Sequence, residues 1–151
     1  MKGDDKMIYL EDETKFQELI AKGDVLVDFY ATWCGPCKYQ IPHLMRLEEE
    51  FEGRGIVFVS LSADKPADTQ KWKDMVKEFG MKGICGIAPD AFNHAFFEKY
   101  KVKSIPRFIL IDPDGNMVMT MTDLSGSWIT LIIFHTAITL PHVKNHFSQL
   151  V

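Results

Sequence analysis

The chain has 151 residues, of which 46% are hydrophobic and 25% charged, and its formal charge at pH 7 is −4. Its 11 Phe, 4 Tyr and 3 Trp residues exclude the composition of a disordered chain. The mild negative charge gives no reason to expect nucleic acid as a partner. We therefore expect one globular domain over residues 1–151, with a substantial core.

Strand and helix patterns alternate along most of the chain. In chain order they predict a strand at 7–10, a helix at 14–23, a strand at 25–31, a helix at 34–51, a strand at 55–62, a helix at 66–80, a short strand at 82–88, a helix at 90–100 and two strands within 105–122. Helical crossovers between strands imply parallel pairing. The turn sequence "DPDG" predicts an antiparallel hairpin at the end. The predicted fold class is α/β, with a mixed sheet flanked by helices.

Two residues break the pattern of their elements. Asp28 is the charged residue in the apolar strand "VLVDFYA", and a buried carboxyl group without a cation should have a raised pKa. Pro42 lies inside the helix predicted at 34–51. It should kink that helix, because proline removes a backbone donor and crowds the preceding turn.

The segment "TWCGPC" at residues 32–37 places two cysteines two residues apart. A structural zinc site needs about four ligands, but only His43 lies nearby and there is no second cysteine pair. A structural disulfide across two residues closes too small a loop to stabilise much. The third interpretation, a reversible dithiol, is favoured because C-x-x-C in a strand-helix-strand context is a redox signature.

The predicted strand-to-helix junction suits this chemistry. Unpaired backbone amides and the helix dipole favour negative charge at the start of a helix. A thiolate at Cys34 would be stabilised there, and the thiolate is the nucleophile. Cys37 lies one helical turn on, close enough to resolve a mixed disulfide. Gly35 permits a tight turn and Pro36 fits the first turn of a helix.

The segment "VLVDFYATWCGPCK" resembles the active-site segment of the thioredoxin superfamily. Asp28, six residues before Cys34, resembles the buried aspartate of thioredoxins, and Pro42 resembles the kink proline of their active-site helix. The segment "SIPRFILID" resembles the cis-proline segment and places that proline at Pro106. The order of elements agrees with the family over residues 8–122, which implies a thioredoxin-like fold.

Residues 64–105 form an insertion relative to thioredoxin proper, with two helical segments and room for a strand. This insertion, with "IPRFILIDPDGNMV", resembles the bacterial TlpA/ResA-like branch, whose members commonly reduce disulfides in exported proteins. The motif "CGPCK" is closer to plain thioredoxin.

The resemblance implies a role for each matched residue. Cys34 would be the attacking thiolate and Cys37 the resolving thiol. Asp28 would accept the Cys37 proton through water; the alternative is a hydrogen-bonded core aspartate. Substrate contacts are expected from five residues, Trp33, Gly35, Pro36, Ile105 and Pro106, with the backbone of Ile105 pairing with extended substrate like an added strand.

The predicted function is that of a thiol-disulfide oxidoreductase, which needs no metal and no bound cofactor beyond the Cys34–Cys37 disulfide. Its expected partners are disulfide-containing proteins and a separate electron-donor reductase. Two alternatives stay open. A thiol peroxidase on the same fold is one, although Thr32 lacks the upstream proline of such sites. A redox-inactive binding domain is the other.

The N-terminal stretch carries no apolar run of signal-peptide length, and residues 128–140 are too short to span a bilayer. We therefore expect a soluble, monomeric, cytoplasmic protein from the sequence as written, or a periplasmic or cell-envelope protein if a signal peptide has been removed. Residues 123–151 depart from the charged terminal helix of the family, and a shifted reading frame is one explanation. Cys85 is expected to pack as a small hydrophobic residue.

Overall fold

The computed structural model describes residues 7–9, 14, 17, 18, 21, 23–88, 91–126 and 128–133. The strands are β1 (Met7–Tyr9), β2 (Asp24–Tyr30), β3 (Ile56–Ser62), β4 (Ile84–Ile87), β5 (Arg107–Ile111) and β6 (Met117–Met121). The helices are α1 (Gly35–Glu50), α2 (Thr69–Phe79) and α3 (Ala95–Lys99), and short 3₁₀ turns at Pro66–Asp68 and Ala91–Asn93 precede the last two.

The six strands form one sheet in the order β1-β4-β3-β2-β5-β6. The pairs β1–β4, β4–β3 and β3–β2 are parallel, whereas β2–β5 and β5–β6 are antiparallel. The predicted mixed sheet is therefore confirmed. The insertion supplies α2, β4 and α3, and β4 lies between β1 and β3, so the insertion widens the sheet by one strand.

Side chains of β2 alternate between the two faces of the sheet. Phe29 faces α3, where its ring meets the Phe97 ring edge to face with centroids 5.0 Å apart. Leu26 points to the opposite face. It shares a cluster with residues of α1, β5 and the C-terminal part of the described chain, namely Leu44, Leu47, Phe108, Leu110, Leu124, Ile129 and Ile133. Helix α1 therefore covers one face of the sheet and α3 the other.

The helix that carries the cysteines runs as one 16-residue element through Pro42. The prediction of a single helix at 90–100 is wrong. It is divided into a 3₁₀ turn and α3, because His94 adopts an extended conformation and caps α3, with Nδ1 accepting a hydrogen bond from the Phe96 amide at 3.2 Å. The helix predicted at 14–23 lies mostly outside the described residues, although residues 14, 17 and 18 are helical.

Within the described part of the chain, the helices are too short or too polar to cross a bilayer.

Candidate active site

Cys34 lies at the junction between β2 and α1. Residues 31–34 form a turn in which the Cys34 amide donates to the Ala31 carbonyl at 3.2 Å. Cys34 is the N-cap of α1, with φ −94° and ψ 103°, and its Sγ accepts a hydrogen bond from the Cys37 amide at 3.2 Å. The sulfur therefore sits at the helix N-terminus, where amides and the helix dipole stabilise negative charge.

The two cysteines are joined in a disulfide with an S–S distance of 2.06 Å and a Cα–Cα distance of 5.2 Å. Cys34 is 5% exposed and Cys37 2%, whereas Trp33 within the turn is 59% exposed. The dithiol thus lies just beneath the surface with an aromatic side chain beside it. The structure places the predicted pair together in its oxidised form.

Asp28 is buried in β2, with only 3% of its surface exposed. Burial raises its pKa from 3.8 to about 8, and a hydrogen bond with the Ser60 side chain partly opposes that shift. Ser60 is its register partner on β3. The raised pKa predicted from the sequence is therefore confirmed. A carboxyl group in this state can exchange a proton near neutral pH.

Ile105 and Pro106 directly precede β5, whose first residue, Arg107, pairs with Phe29 of β2. Since β5 is antiparallel to β2, these two residues lie beside the turn at 31–34. The Ile105–Pro106 peptide bond is cis, as the resemblance to the family's cis-proline segment implies. The structure thus brings this segment to the same edge of the sheet as the dithiol.

Sequence reasoning missed a buried carboxylate beside the reactive turn. Asp64 follows β3 and is fully buried. Its Oδ2 accepts hydrogen bonds from the Thr32 amide at 3.0 Å and the Ser62 hydroxyl at 2.6 Å, and its Oδ1 accepts one from the Thr32 hydroxyl at 2.7 Å. The available signal was a carboxylate directly after an apolar run, whereas Asp28 interrupts its run; the sequence pattern places Asp64 only at the start of the insertion.

A second missed contact involves Gln40 of α1. Its Nε2 donates to Asp123 Oδ1 at 2.9 Å, and its Oε1 accepts a hydrogen bond from the Leu124 amide at 2.7 Å. Gln40 lies one turn after Cys37 and is buried. The active-site helix is therefore tied to the chain that follows β6.

Helix α2 of the insertion approaches the active-site segment. A cavity of about 490 Å³ lies between them, lined by Thr32 and Lys38 on one side and by Met75 and Phe79 on the other. The insertion thus adds a surface next to Thr32 and Lys38, the residues on either side of the segment 33–37.

The third cysteine is separate from this site. Cys85 is buried on β4, with β3 between it and β2, and its Sγ lies 3.6 Å from the Gly83 carbonyl oxygen. This placement agrees with the expected role of a packed core residue. Over the described ranges, the acidic, histidine and cysteine side chains form no group of three that could hold a metal ion.

Residues 24–117 match the family model described as Thioredoxin-like. The chain belongs to the thioredoxin-like family. This family match covers most of the sheet and both cysteines, so the superfamily assignment made from the "WCGPC" segment is confirmed.

Relatives of known name agree with the branch suggested by the insertion. The thiol-disulfide oxidoreductase ResA of Bacillus thuringiensis (strain Al Hakam) is 30% identical over 104 residues, which are 69% of this chain and 57% of that protein. The chain therefore spans less than two thirds of the length of the ResA relatives that it matches. Mitochondrial thioredoxin-3 of Saccharomyces cerevisiae is 46% identical over 59 residues, 38% of this chain and 45% of that one.

A solved structure supports the fold. The thioredoxin domain of a thiol-disulfide oxidoreductase from Bacteroides vulgatus superimposes with a TM-score of 0.68 at 22% identity, covering 78% of this chain and 81% of that chain. This match supports the thioredoxin-like fold, and the ResA relatives agree with the resemblance to the TlpA/ResA-like branch.

Proposed function

We propose that this thioredoxin-like protein is a thiol-disulfide oxidoreductase that acts mainly as a reductase of protein disulfides. The observation that carries the proposal is the position of Cys34. Its sulfur caps the N-terminus of α1 and is bonded to the sulfur of Cys37 one turn further on. This arrangement stabilises a thiolate on the first cysteine and keeps a second thiol within reach of it.

The reaction proceeds in two thiol-disulfide exchanges. The Cys34 thiolate attacks one sulfur of a partner disulfide, a mixed disulfide forms, and the other partner sulfur leaves as a thiolate. The Cys37 thiolate then attacks the Cys34 sulfur, and the second partner sulfur leaves. Two electrons pass from the dithiol to the partner, and the Cys34–Cys37 disulfide remains.

Asp28 is the base that we assign to the second exchange. Cys37 must lose a proton before it attacks, and a carboxyl group with a pKa of about 8 is partly ionised near neutral pH. The buried position of Asp28 on β2, three residues before the reactive turn begins, supports a transfer through water. The proton passes from Asp28 through water to a departing partner thiolate, and solvent supplies the proton for the other partner thiolate.

The partner binds around the edge of the sheet where β2 ends. We assign contacts to the exposed ring of Trp33, to the backbone of the first turn of α1 at Gly35 and Pro36, and to the segment Ile105–Pro106 beside the turn at 31–34. An extended peptide added along Ile105 would place a partner cysteine over the dithiol. The cavity beside α2 gives this chain a surface for selecting its own clients.

The proposed cycle needs no metal and no bound cofactor. A separate dithiol reductase must return two electrons to the oxidised pair, and the chain is proposed to act as a monomer. The reductase that supplies these electrons must be in the same compartment as this protein. Cell fractionation and the midpoint potential of the cysteine pair distinguish the cytoplasm from the cell envelope.

Insulin reduction by dithiothreitol tests the proposal. The parent protein should accelerate it, Cys34→Ser should abolish the acceleration, and Cys37→Ser should accumulate mixed disulfides that nonreducing gels detect. Cys85→Ala is the matched control, because this cysteine is buried on β4 away from the pair, and it should keep the parental rate. If Cys34→Ser were as fast as the parent, the proposal would be wrong. Catalytic consumption of hydrogen peroxide would instead support the peroxidase alternative.

A further inference from the structure

The turn that presents Cys34 is held by a buried carboxylate from a different strand. The turn runs from Ala31 to Cys34, with Thr32 and Trp33 in the middle. Within this turn, Thr32 is buried and Trp33 is exposed. Asp64 binds Thr32 through both the main-chain amide at 3.0 Å and the side-chain hydroxyl at 2.7 Å.

The position of Asp64 is itself fixed. Strands β2 and β3 are parallel and end side by side, with Tyr30 paired to Ser62. The Ala63 amide donates to the Tyr30 carbonyl at 2.8 Å, which extends the ladder by one residue. The Ser62 hydroxyl accepts a hydrogen bond from the Asp64 amide at 2.9 Å and donates to Asp64 Oδ2 at 2.6 Å. Contacts at the end of β3 therefore orient the Asp64 carboxylate independently of its contacts with the turn.

We propose that Asp64 is a positioning residue, which acts through Thr32 to hold the turn so that Cys34 caps α1 and Trp33 stays on the surface. The proposal rests on the proposed oxidoreductase function for its rate predictions. The carboxylate accepts three hydrogen bonds, and two of them fix the residue that lies two positions before the nucleophile. Loss of this contact frees the turn, and the Cys34 sulfur is then held less firmly at the amides of α1.

Two substitutions of Asp64 distinguish the effect of its hydrogen bonds from the effect of its negative charge. The Thr32 amide can only donate, whereas the Thr32 and Ser62 hydroxyls can donate or accept. In Asp64→Asn, the amide oxygen can face the Thr32 amide while the NH2 group donates to the Thr32 hydroxyl. This variant therefore keeps both contacts to the turn without the charge. Asp64→Ala removes both contacts.

The test measures two quantities on folded protein, the kcat/KM for insulin reduction and the pH midpoint of Cys34 alkylation by iodoacetamide, read by mass spectrometry. For Asp64→Ala we expect a loss in kcat/KM of about 10- to 100-fold and a midpoint moved to higher pH. Asp64→Asn should restore most of the rate and return the midpoint to the parental pH or below it. If the Asn and Ala variants behave alike, or if the Ala variant is as fast as the parent, the proposal is overturned.

A second pair of variants covers the case in which Asp64→Ala does not fold. Thr32→Val removes only the hydroxyl contact and leaves the amide contact in place. We expect a smaller loss of kcat/KM, about 3- to 10-fold, with the parental rate recovered in Thr32→Ser. Equal rates in Thr32→Val and the parent would overturn the proposal.

Tyr100→Phe is the matched control for a lost hydrogen bond away from the turn. The Tyr100 hydroxyl donates to the Gly115 carbonyl at 3.0 Å, so this variant should lose stability but keep the rate and the alkylation midpoint. The alkylation measurement needs only the Cys34 thiolate. It therefore tests the positioning of Cys34 even if the parent protein fails to reduce insulin and the proposed function is wrong.

Discussion

At the scale of single residues, Asp28 has an unusual effect on stability. A carboxyl group usually has a lower pKa in the folded protein than in the unfolded chain, because it gains partners. Asp28 has the opposite shift, from 3.8 to about 8, since burial disfavours its charge. The folded state therefore holds a proton that the unfolded state releases between these two pH values. The contribution of Asp28 to the free energy of unfolding is therefore greatest below about pH 4, and it falls as the pH rises toward 8.

Asp28→Asn should remove this pH dependence. The amide is a neutral replacement for the protonated carboxyl group, so we expect the variant to be more stable than the parent at pH 7. The difference should grow by about 1.4 kcal/mol for each pH unit between about 5 and 7. Urea denaturation at several pH values measures it. The same variant should slow the release of partners from the Cys34 mixed disulfide, because the proton acceptor for Cys37 is lost.

Asp123→Asn is the control for this pH series. Hydrogen bonds with Ser125 and then with Gln40 lower the pKa of Asp123 to about 2, and its side chain is exposed. Any effect of this variant should be constant from pH 5 to 7, because both of its pKa values lie below that range. A parallel pH dependence in the parent and Asp28→Asn would contradict the assignment to Asp28.

At the scale of elements, Gln40 joins the active-site helix to the segment after β6. Its side chain has one donor and one acceptor in use, toward Asp123 and the Leu124 amide. Gln40→Leu should destabilise the fold by roughly 1–3 kcal/mol, because the Leu124 amide is left buried without its acceptor. Urea denaturation at pH 7 measures the loss.

Gln70→Leu is the matched control for the Gln40 variant. Gln70 makes an exposed hydrogen bond to Asp74 of the same helix at 2.9 Å, and losing it should cost at most about 0.5 kcal/mol. Equal losses in the two variants would mean that the link between α1 and the segment after β6 does not stabilise the molecule.

Helix α2 of the insertion is anchored by another pair. Trp72 is fully buried, and its Nε1 donates to the Tyr30 hydroxyl of β2 at 2.7 Å. We expect Trp72→Phe and Tyr30→Phe to be individually destabilising, and a double-mutant cycle to give a coupling of about 1 kcal/mol. Additive losses within about 0.3 kcal/mol would show that the insertion is held by packing alone.

The elements also show which features the sequence could predict. Cys34, Cys37 and Asp28 lie within ten residues of each other, and each stands out from the pattern of its own strand or helix. Pro106 was found through its resemblance to a family segment. The contact of Asp64 with Thr32 joins residues 32 positions apart. That contact depends on the register of two parallel strands, which alternation of apolar residues does not specify.

The same limit applies at the scale of the whole molecule. The hydrophobic pattern predicted a mixed sheet. It did not predict that β4 lies between β1 and β3, because a short apolar run does not specify which strands pair with it. The apolar segment after Thr122 gave no clear terminal helix. The structure has helical residues at 129–133, and the residues from 134 onward lie outside the described part, so the departure predicted for 123–151 is only partly described.

The segment 128–133 carries apolar side chains on both its buried face and its exposed face. Ile129 and Ile133, four residues apart, are buried against the cluster that contains Leu26. Trp128 and Leu131 point outward, with exposures of 55% and 70%. A patch of this kind promotes self-association when the protein is concentrated. The monomer that we propose for catalysis should therefore associate reversibly at high concentration through these outward side chains.

Leu131→Lys and Ile129→Lys separate the two faces. Leu131→Lys should leave the free energy of unfolding within about 0.5 kcal/mol of the parent and should lower static light scattering at high concentration. Ile129→Lys should destabilise the fold by about 3 kcal/mol or more, because it buries a charge without a partner. Identical scattering from the parent and Leu131→Lys would show that the outward face does not drive association. An unchanged stability in Ile129→Lys would show that Ile129 does not contribute to the core cluster that contains Leu26.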